Sequence, residues 1–86
     1  MIQKLDIPVS VVCLFDHKKR VFAPKKVLFE GREYLIEKIG FNHTFRNGRV
    51  LNHVFSVVSG SMFFRLEFNS ENLNWRLTQI ADSEVN

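Results

Sequence analysis

The chain has 86 residues and a single cysteine, Cys13. An intramolecular disulfide is therefore impossible, and the class of small secreted domains held together by disulfide bonds is excluded. Cys13 lies between Val12 and Leu14, and these apolar neighbours predict an unreactive thiol. We expect a cytoplasmic protein of bacterial type.

Long hydrophobic runs are also missing. No apolar stretch approaches the roughly 20 residues that span a bilayer. The first residues, M-I-Q-K-L-D-I-P, do not have the pattern of a signal peptide. We therefore expect no membrane attachment.

The sequence lacks the motifs that accompany catalysis. No glycine-rich phosphate loop is present, and Ser56, Ser59 and Ser61 follow His53 without a strained nucleophile elbow. We expect no enzymatic activity and no cofactor.

The histidines do not form a metal-binding motif. A zinc site needs three or four converging ligands. His43 and His53 are predicted to point to opposite faces of a hairpin, and His17 lies in a separate turn. We therefore predict no metal site.

What the sequence does contain is a series of short β-prone segments separated by turn residues. The clearest is the segment 29–41, F-E-G-R-E-Y-L-I-E-K-I-G-F, in which Glu30-Gly31 predicts a tight hairpin turn. The residues after this turn predict one central strand, covered on both faces and continuing to residue 41. The other predicted strands are 9–15, 21–29 with a bend or bulge at Pro24, 50–59, 62–68 and 75–81.

These segments predict an all-β protein with one domain spanning residues 1–86, in which 1–7 and 83–86 are loosely ordered. The favoured architecture is a single small antiparallel barrel or roll of five to six strands, SH3-like. The alternative is a two-layer sheet whose open face is covered by a dimer mate. The predicted core consists of Val11, Cys13, Phe29, Tyr34, Ile36, Ile39, Phe55, Val57, Phe64, Leu66, Trp75 and Leu77.

The Asn47-Gly48 pair predicts another turn. A two-residue hairpin centred there places Arg46 opposite Arg49 and Phe45 opposite Val50. A longer, flexible loop over residues 42–49 is the alternative.

Two motifs, F-E-G-R-E-Y-L-I at 29–36 and W-R-L at 75–77, carry a resemblance to known proteins. The chain resembles a group of small uncharacterised bacterial β-barrel proteins that share an aromatic-x-Gly-Arg-x-Tyr motif and a terminal Trp-x-Leu. The resemblance implies a fold and brings no activity with it.

Charge is distributed unevenly along the chain. Residues 17–53 contain nine cations and three acids, a net charge of +6, and the remaining residues contain three cations and six acids, a net charge of −3. Such asymmetry creates a positive face that can attract phosphates. Phe22, Phe41 and Phe45 are candidates for stacking on unpaired bases. The predicted nucleic-acid-binding residues are Lys18, Lys19, Arg20, Lys25, Lys26, Arg46, Arg49 and Phe45.

Two other interpretations stay open. The cations can form a solvated rim around phenylalanines that belong to the core. Alternatively, a chain with nine phenylalanines leaves an apolar surface that another protein or a second copy covers, which makes it a protein-interaction or homodimeric module.

Overall fold

A computed structural model describes residues 2–82 of the chain, and within them all regular structure is β-strand. Among these residues, no helical segment has the length and hydrophobicity needed to cross a bilayer. The seven strands are β1 (Ile2–Asp16), β2 (Val21–Phe29), β3 (Arg32–Leu35), β4 (Lys38–Asn47), β5 (Val50–Ser59), β6 (Met62–Asn69) and β7 (Trp75–Asp82).

The strands form one antiparallel sheet in the order β3-β2-β1-β7-β6-β5-β4. The sheet is open, with β3 and β4 at its two edges, and has seven strands. The prediction of an all-β fold is confirmed, whereas the closed barrel and the count of five to six strands are wrong. Because every neighbouring pair is antiparallel, the β1–β2, β4–β5 and β6–β7 loops all lie at one end of the sheet.

The predicted central strand is in fact two edge strands. The backbone N–H of Ile36 donates to the carbonyl of Lys25 in β2, whereas that of Glu37 donates to the carbonyl of Val58 in β5. The chain therefore leaves β2 after β3 and joins β5 as β4, at the opposite edge of the sheet. A further hydrogen bond, from the Gly60 N–H to the Glu37 carboxylate at 3.1 Å, holds this crossing in place.

The sheet curls so that its inner face encloses the core. The rings of Phe22 in β2 and Phe55 in β5 lie 5.7 Å apart between centroids, although three strands separate β2 from β5 in the sheet order. The ring centroids of Tyr34 in β3 and Phe64 in β6, two strands that are also far apart in the sheet order, lie 5.1 Å from each other. The buried residues of this core are Val27, Phe55, Val57, Phe64, Leu66, Trp75 and Leu77.

Most of the predicted core is confirmed. Six of its residues are buried, namely Phe55, Val57, Phe64, Leu66, Trp75 and Leu77, and five pack against them with partial exposure, namely Val11, Phe29, Tyr34, Ile36 and Ile39. Cys13 is exposed, so its assignment to the core is wrong. It lies beside the bulge between Val12 and Cys13, in the half of β1 that pairs with β2 alone. Val27, which is fully buried in the core, is absent from the prediction.

Residues 2–7, predicted as loosely ordered, form the first part of β1 and pair with β7. Residues 1 and 83–86 lie outside the described residues.

β1 changes partner along its length, because residues 2–9 pair with β7 and residues 10–16 pair with β2. Pro8 therefore lies where β1 has a neighbour on one side only, which is compatible with its missing N–H. The bulge expected at Pro24 is confirmed by the register shift beside it.

One of the two predicted hairpin turns has the expected backbone, and the other is displaced by one residue. Glu30 and Gly31 both have positive φ, 51° and 76°, as the two central residues of a type I′ hairpin require. The second hairpin is closed by Asn47 and Val50, so its loop is Gly48-Arg49 and not Asn47-Gly48. The predicted pairing of Phe45 with Val50 is wrong, because Phe45 pairs with Asn52. The alternative of a flexible 42–49 loop is also wrong, since β4 continues to Asn47.

Candidate nucleic-acid interface

The β1–β2 loop holds three of the predicted cations in a defined turn. The Asp16 carboxylate accepts hydrogen bonds from the backbone N–H groups of Lys18 and Lys19 at 2.9 and 3.1 Å. The N–H of Arg20 donates to the Asp16 carbonyl at 2.8 Å, and Arg20 has a φ of 60°. Hydrogen bonds to the carboxylate and the carbonyl of Asp16 thus fix the loop, while the three cationic side chains are exposed.

The tip of the β4–β5 hairpin carries two more of the predicted cations, Arg46 near the end of β4 and Arg49 in the loop. Arg46 and Arg49 are exposed, and the Arg46 guanidinium donates to the Arg49 carbonyl at 3.4 Å. Gly48 has a φ of 64°, the left-handed conformation that a two-residue hairpin requires. Neither arginine pairs with a carboxylate among residues 2–82.

The fold brings these two loops to the same end of the sheet, which we call the basic end. The ring of Phe22, two residues after Arg20, lies 5.0 Å from that of His53 in the β4–β5 hairpin. The basic end contains Lys18, Lys19, Arg20, Arg46 and Arg49. The β6–β7 loop adds one acid there, Glu71.

Lys25 and Lys26 are placed elsewhere. They lie in the middle of β2, beside the bulge that accommodates Pro24. The Lys26 ammonium is 3.2 Å from the Glu33 carboxylate of β3, and this pair is partly screened by water. The structure therefore does not bring these two lysines to the basic end.

The three candidate stacking phenylalanines have different surroundings. Phe22 packs in the core against Phe55, Phe68 and Trp75, so its ring is not available to a base. Phe41 is 60% exposed and Phe45 is 39% exposed.

Phe41 and Phe45 belong to a strip of rings on the outer face of β4. Phe41, His43 and Phe45 pair with Ser56, Val54 and Asn52, which alternate along β5 with the core residues Phe55 and Val57. We call Phe41, His43 and Phe45 the aromatic strip. The Phe41 and His43 rings are 5.2 Å apart between centroids, and the strip leads towards Arg46 at the basic end.

His43 is not among the binding residues that the sequence predicts. The i, i+2, i+4 spacing in F-N-H-T-F is the signal that identifies the strip, once residues 41–45 are known to be strand.

As predicted, His43 and His53 point to opposite faces, because Thr44 pairs with His53 and His43 pairs with Val54. Among residues 2–82 there is no group of three or more metal-ligating side chains.

A depression of about 420 Å³ lies at the opposite end of the sheet. Ile2, Phe63 and Ala81 line it, together with neighbouring residues of β5, β6 and β7. None of the predicted binding residues contributes to it. Nearby, the buried Arg65 Nε has no hydrogen-bond partner among the described residues and is 3.9 Å from the Glu67 carboxylate.

Comparison with protein-family models, with curated proteins and with solved structures finds no match to this chain. The resemblance to small bacterial β-barrel proteins therefore stays a prediction.

Proposed function

We propose that this protein is a non-enzymatic binding module that holds single-stranded nucleic acid across the aromatic strip and the basic end. The observation that carries the proposal is the position of the strip, whose exposed rings lead along β4 to a cluster of five exposed cations. The assignment of the curled sheet to the SH3-like type and a cytoplasmic location are parts of the same proposal.

The two kinds of residue have separate roles. Exposed rings stack on unpaired bases and contribute about 1–3 kcal/mol per base, with little dependence on sequence. The cations neutralise backbone phosphates and release counterions, which makes the affinity dependent on salt. Lys18, Lys19 and Arg20 on one loop and Arg46 and Arg49 on the other provide phosphate contacts next to the rings.

The salt dependence has a predicted size. Each phosphate contact with a single strand contributes about −0.7 to the slope of log K against log salt. Five contacts give a slope of about −3.5, so raising NaCl from about 50 to about 200 mM lowers the affinity roughly 100-fold. Fluorescence anisotropy with labelled oligo-dT and oligo-U measures this slope.

Charge reversal tests which cations are involved. The double variant Lys18→Glu/Lys19→Glu should bind more weakly and show a shallower salt slope. The matched control, Lys4→Glu/Arg32→Glu, makes the same charge change at exposed positions away from the basic end and should bind more tightly than the first variant. Equal losses in the two variants would show that only net charge matters and would refute the site.

Two phenylalanines of similar exposure test the stacking role. Phe45 is 39% exposed and Phe63, on the outer face at the opposite end, is 42% exposed. Phe45→Ala should lower the affinity about 5- to 150-fold, the loss of one stacked base, whereas Phe63→Ala should leave it unchanged. Absence of binding to either oligonucleotide at low salt would refute the proposal as a whole.

A second candidate function, a self-associating module, is favoured by a different observation. β4 is a ten-residue edge strand that pairs with β5 alone, and residues 40–47 in it are all exposed. Light scattering at protein concentrations up to about 1 mM tests this candidate, and a mass that stays at the 10.1 kDa of one chain would refute it.

A further inference from the structure

The two edges of the sheet differ in how well they are protected against pairing. β3 has only four residues, Arg32–Leu35, and two of them, Arg32 and Glu33, are charged, which discourages pairing with another strand. β4 has ten residues, and none between Ile39 and Phe45 is charged. The edge of β4 is therefore the one that presents an open template for another strand.

The hairpin geometry identifies the backbone groups that point to this open edge. The two-residue loop is closed by Asn47 and Val50, so alternate residues from Asn47 back to Phe41 direct their N–H and C=O groups to β5. Asn42, Thr44 and Arg46 direct theirs away from β5. No strand within residues 2–82 pairs with these donors and acceptors.

We infer that β4 pairs antiparallel with β4 of a second copy of this chain, with the two-fold axis at His43. In this register His43 stands opposite its own symmetry mate, and Phe41 stands opposite the Phe45 of the second copy. Asn42 and Thr44 of each copy exchange backbone hydrogen bonds with Thr44 and Asn42 of the other. This inference specifies the surface and register of the second candidate function and does not depend on nucleic-acid binding.

Ring placement selects this register among the neighbouring ones. A two-fold axis at Asn42 pairs Phe41 with His43 of the other copy and places Phe45 opposite residues at or beyond the bulge at Gly40, where it has no aromatic partner. An axis at Thr44 places Phe41 opposite Asn47 and leaves that exposed ring without an aromatic partner. With the axis at His43, Phe41 and Phe45 of each copy stand opposite Phe45 and Phe41 of the other.

The pairing also extends the aromatic strip. His43 and the phenylalanines occupy non-hydrogen-bonded pairs, in which opposing Cα atoms are only about 4.5 Å apart and the side chains are closest. The strips of the two copies then form one continuous outer surface of six rings. Near the start of β4, the bulge between Ile39 and Phe41 interrupts the regular strand. The pairing is therefore limited to the residues that follow the bulge.

A proline variant tests the edge without disturbing the monomer. Thr44→Pro removes an N–H that points to the open edge, a position where an edge strand tolerates proline. Thr44→Ala, the control, keeps the N–H. Light scattering should give about twice the monomer mass for the natural chain and Thr44→Ala, and the monomer mass for Thr44→Pro, with the same circular dichroism spectrum in all three.

Disulfide trapping tests the register in a Cys13→Ser background, which removes the natural exposed thiol. His43→Cys should form a covalent dimer under mild oxidation, because the two Cα atoms lie within the range of about 4.4–6.8 Å that a disulfide spans. Phe45→Cys alone should not, since its two copies are offset by four residues, about 13 Å. A mixture of Phe41→Cys and Phe45→Cys chains should form the mixed dimer.

The outcomes separate the two levels of the proposal. A strictly monomeric natural chain refutes self-association and the inference together. A dimer that survives Thr44→Pro, or that is not trapped through His43→Cys, leaves self-association standing and overturns the β4 pairing. Loss of that dimer in Leu35→Glu would then place the interface on the exposed outer face of β3.

Discussion

The neighbouring residues Phe63 and Phe64 provide a direct test of which face of β6 forms the core. Phe64 is 2% exposed and packs edge-to-face on Tyr34 with ring centroids 5.1 Å apart, whereas Phe63 points to the outer face and is 42% exposed. Truncation of a fully buried phenylalanine costs about 3–5 kcal/mol, from lost burial and from the cavity left behind. Phe64→Ala should therefore lose a large fraction of the total stability of a small domain, about 5–15 kcal/mol.

The matched variant Phe63→Ala removes the same atoms from the same strand. Its side chain already contacts water, so we expect a loss below about 1 kcal/mol. Urea denaturation followed by circular dichroism measures both free energies of unfolding, and equal m-values in the two variants would show that only stability has changed. For a domain of this size, a loss of 3 kcal/mol or more lowers Tm by about 12 °C or more.

The comparison of the two variants is decisive because both replace a phenylalanine by alanine, at adjacent positions of the same strand. Equal destabilisation by the two substitutions would refute the assignment of faces, and with it the outer position of the aromatic strip. A loss below about 1 kcal/mol for Phe64→Ala would show that the sheet does not close over this ring.

Three other predictions concern local features. Gly31, with a φ of 76°, should tolerate Asn better than Val, and denaturation should show a loss of about 1–2 kcal/mol more for Gly31→Val; equal stabilities would contradict the turn geometry. Cys13 is exposed, which replaces the expectation of an unreactive thiol drawn from its apolar neighbours; it should react with Ellman's reagent in the folded protein, and a reaction that requires denaturant would contradict its position. The Arg76–Asp6 ion pair joins β7 to β1 at the surface, so Arg76→Ala should cost less than about 1 kcal/mol and less still at high salt; a loss of several kcal/mol in urea denaturation would show that this contact is buried.

Much of the local structure could be predicted because it depends on short-range rules. The strict alternation of residues 62–68 predicts one buried face, and the structure buries Phe64 and Leu66 on it. The Glu30-Gly31 turn followed from the positive φ that glycine allows. Pro24 predicted a bulge because its missing N–H cannot support a regular ladder.

Strand partners could not be predicted in the same way. Residues 34–41 read as one covered strand, because both faces carry apolar residues. In the structure the chain changes partner at Ile36 and Glu37, and the apolar residues on both sides of this point contact different parts of the curled sheet. The number of strands, the open edges and the exposure of β4 all follow from this change of partner.

The candidate site likewise combines features that the sequence predicts with features that only the pairing of distant strands decides. The sequence by itself determined an all-β chain, the positions of its hairpin turns to within one residue and the charges carried by its loops, because turns and strand alternation depend on φ, ψ and the two-residue period of a strand. Only the tertiary structure decided that Arg20 and Arg49 lie at one end, that Lys26 pairs with Glu33, and that Phe22 is in the core while Phe41 is at the surface. Those outcomes depend on which distant segments pair, and strand pairing joins residues far apart in the chain that no local pattern connects.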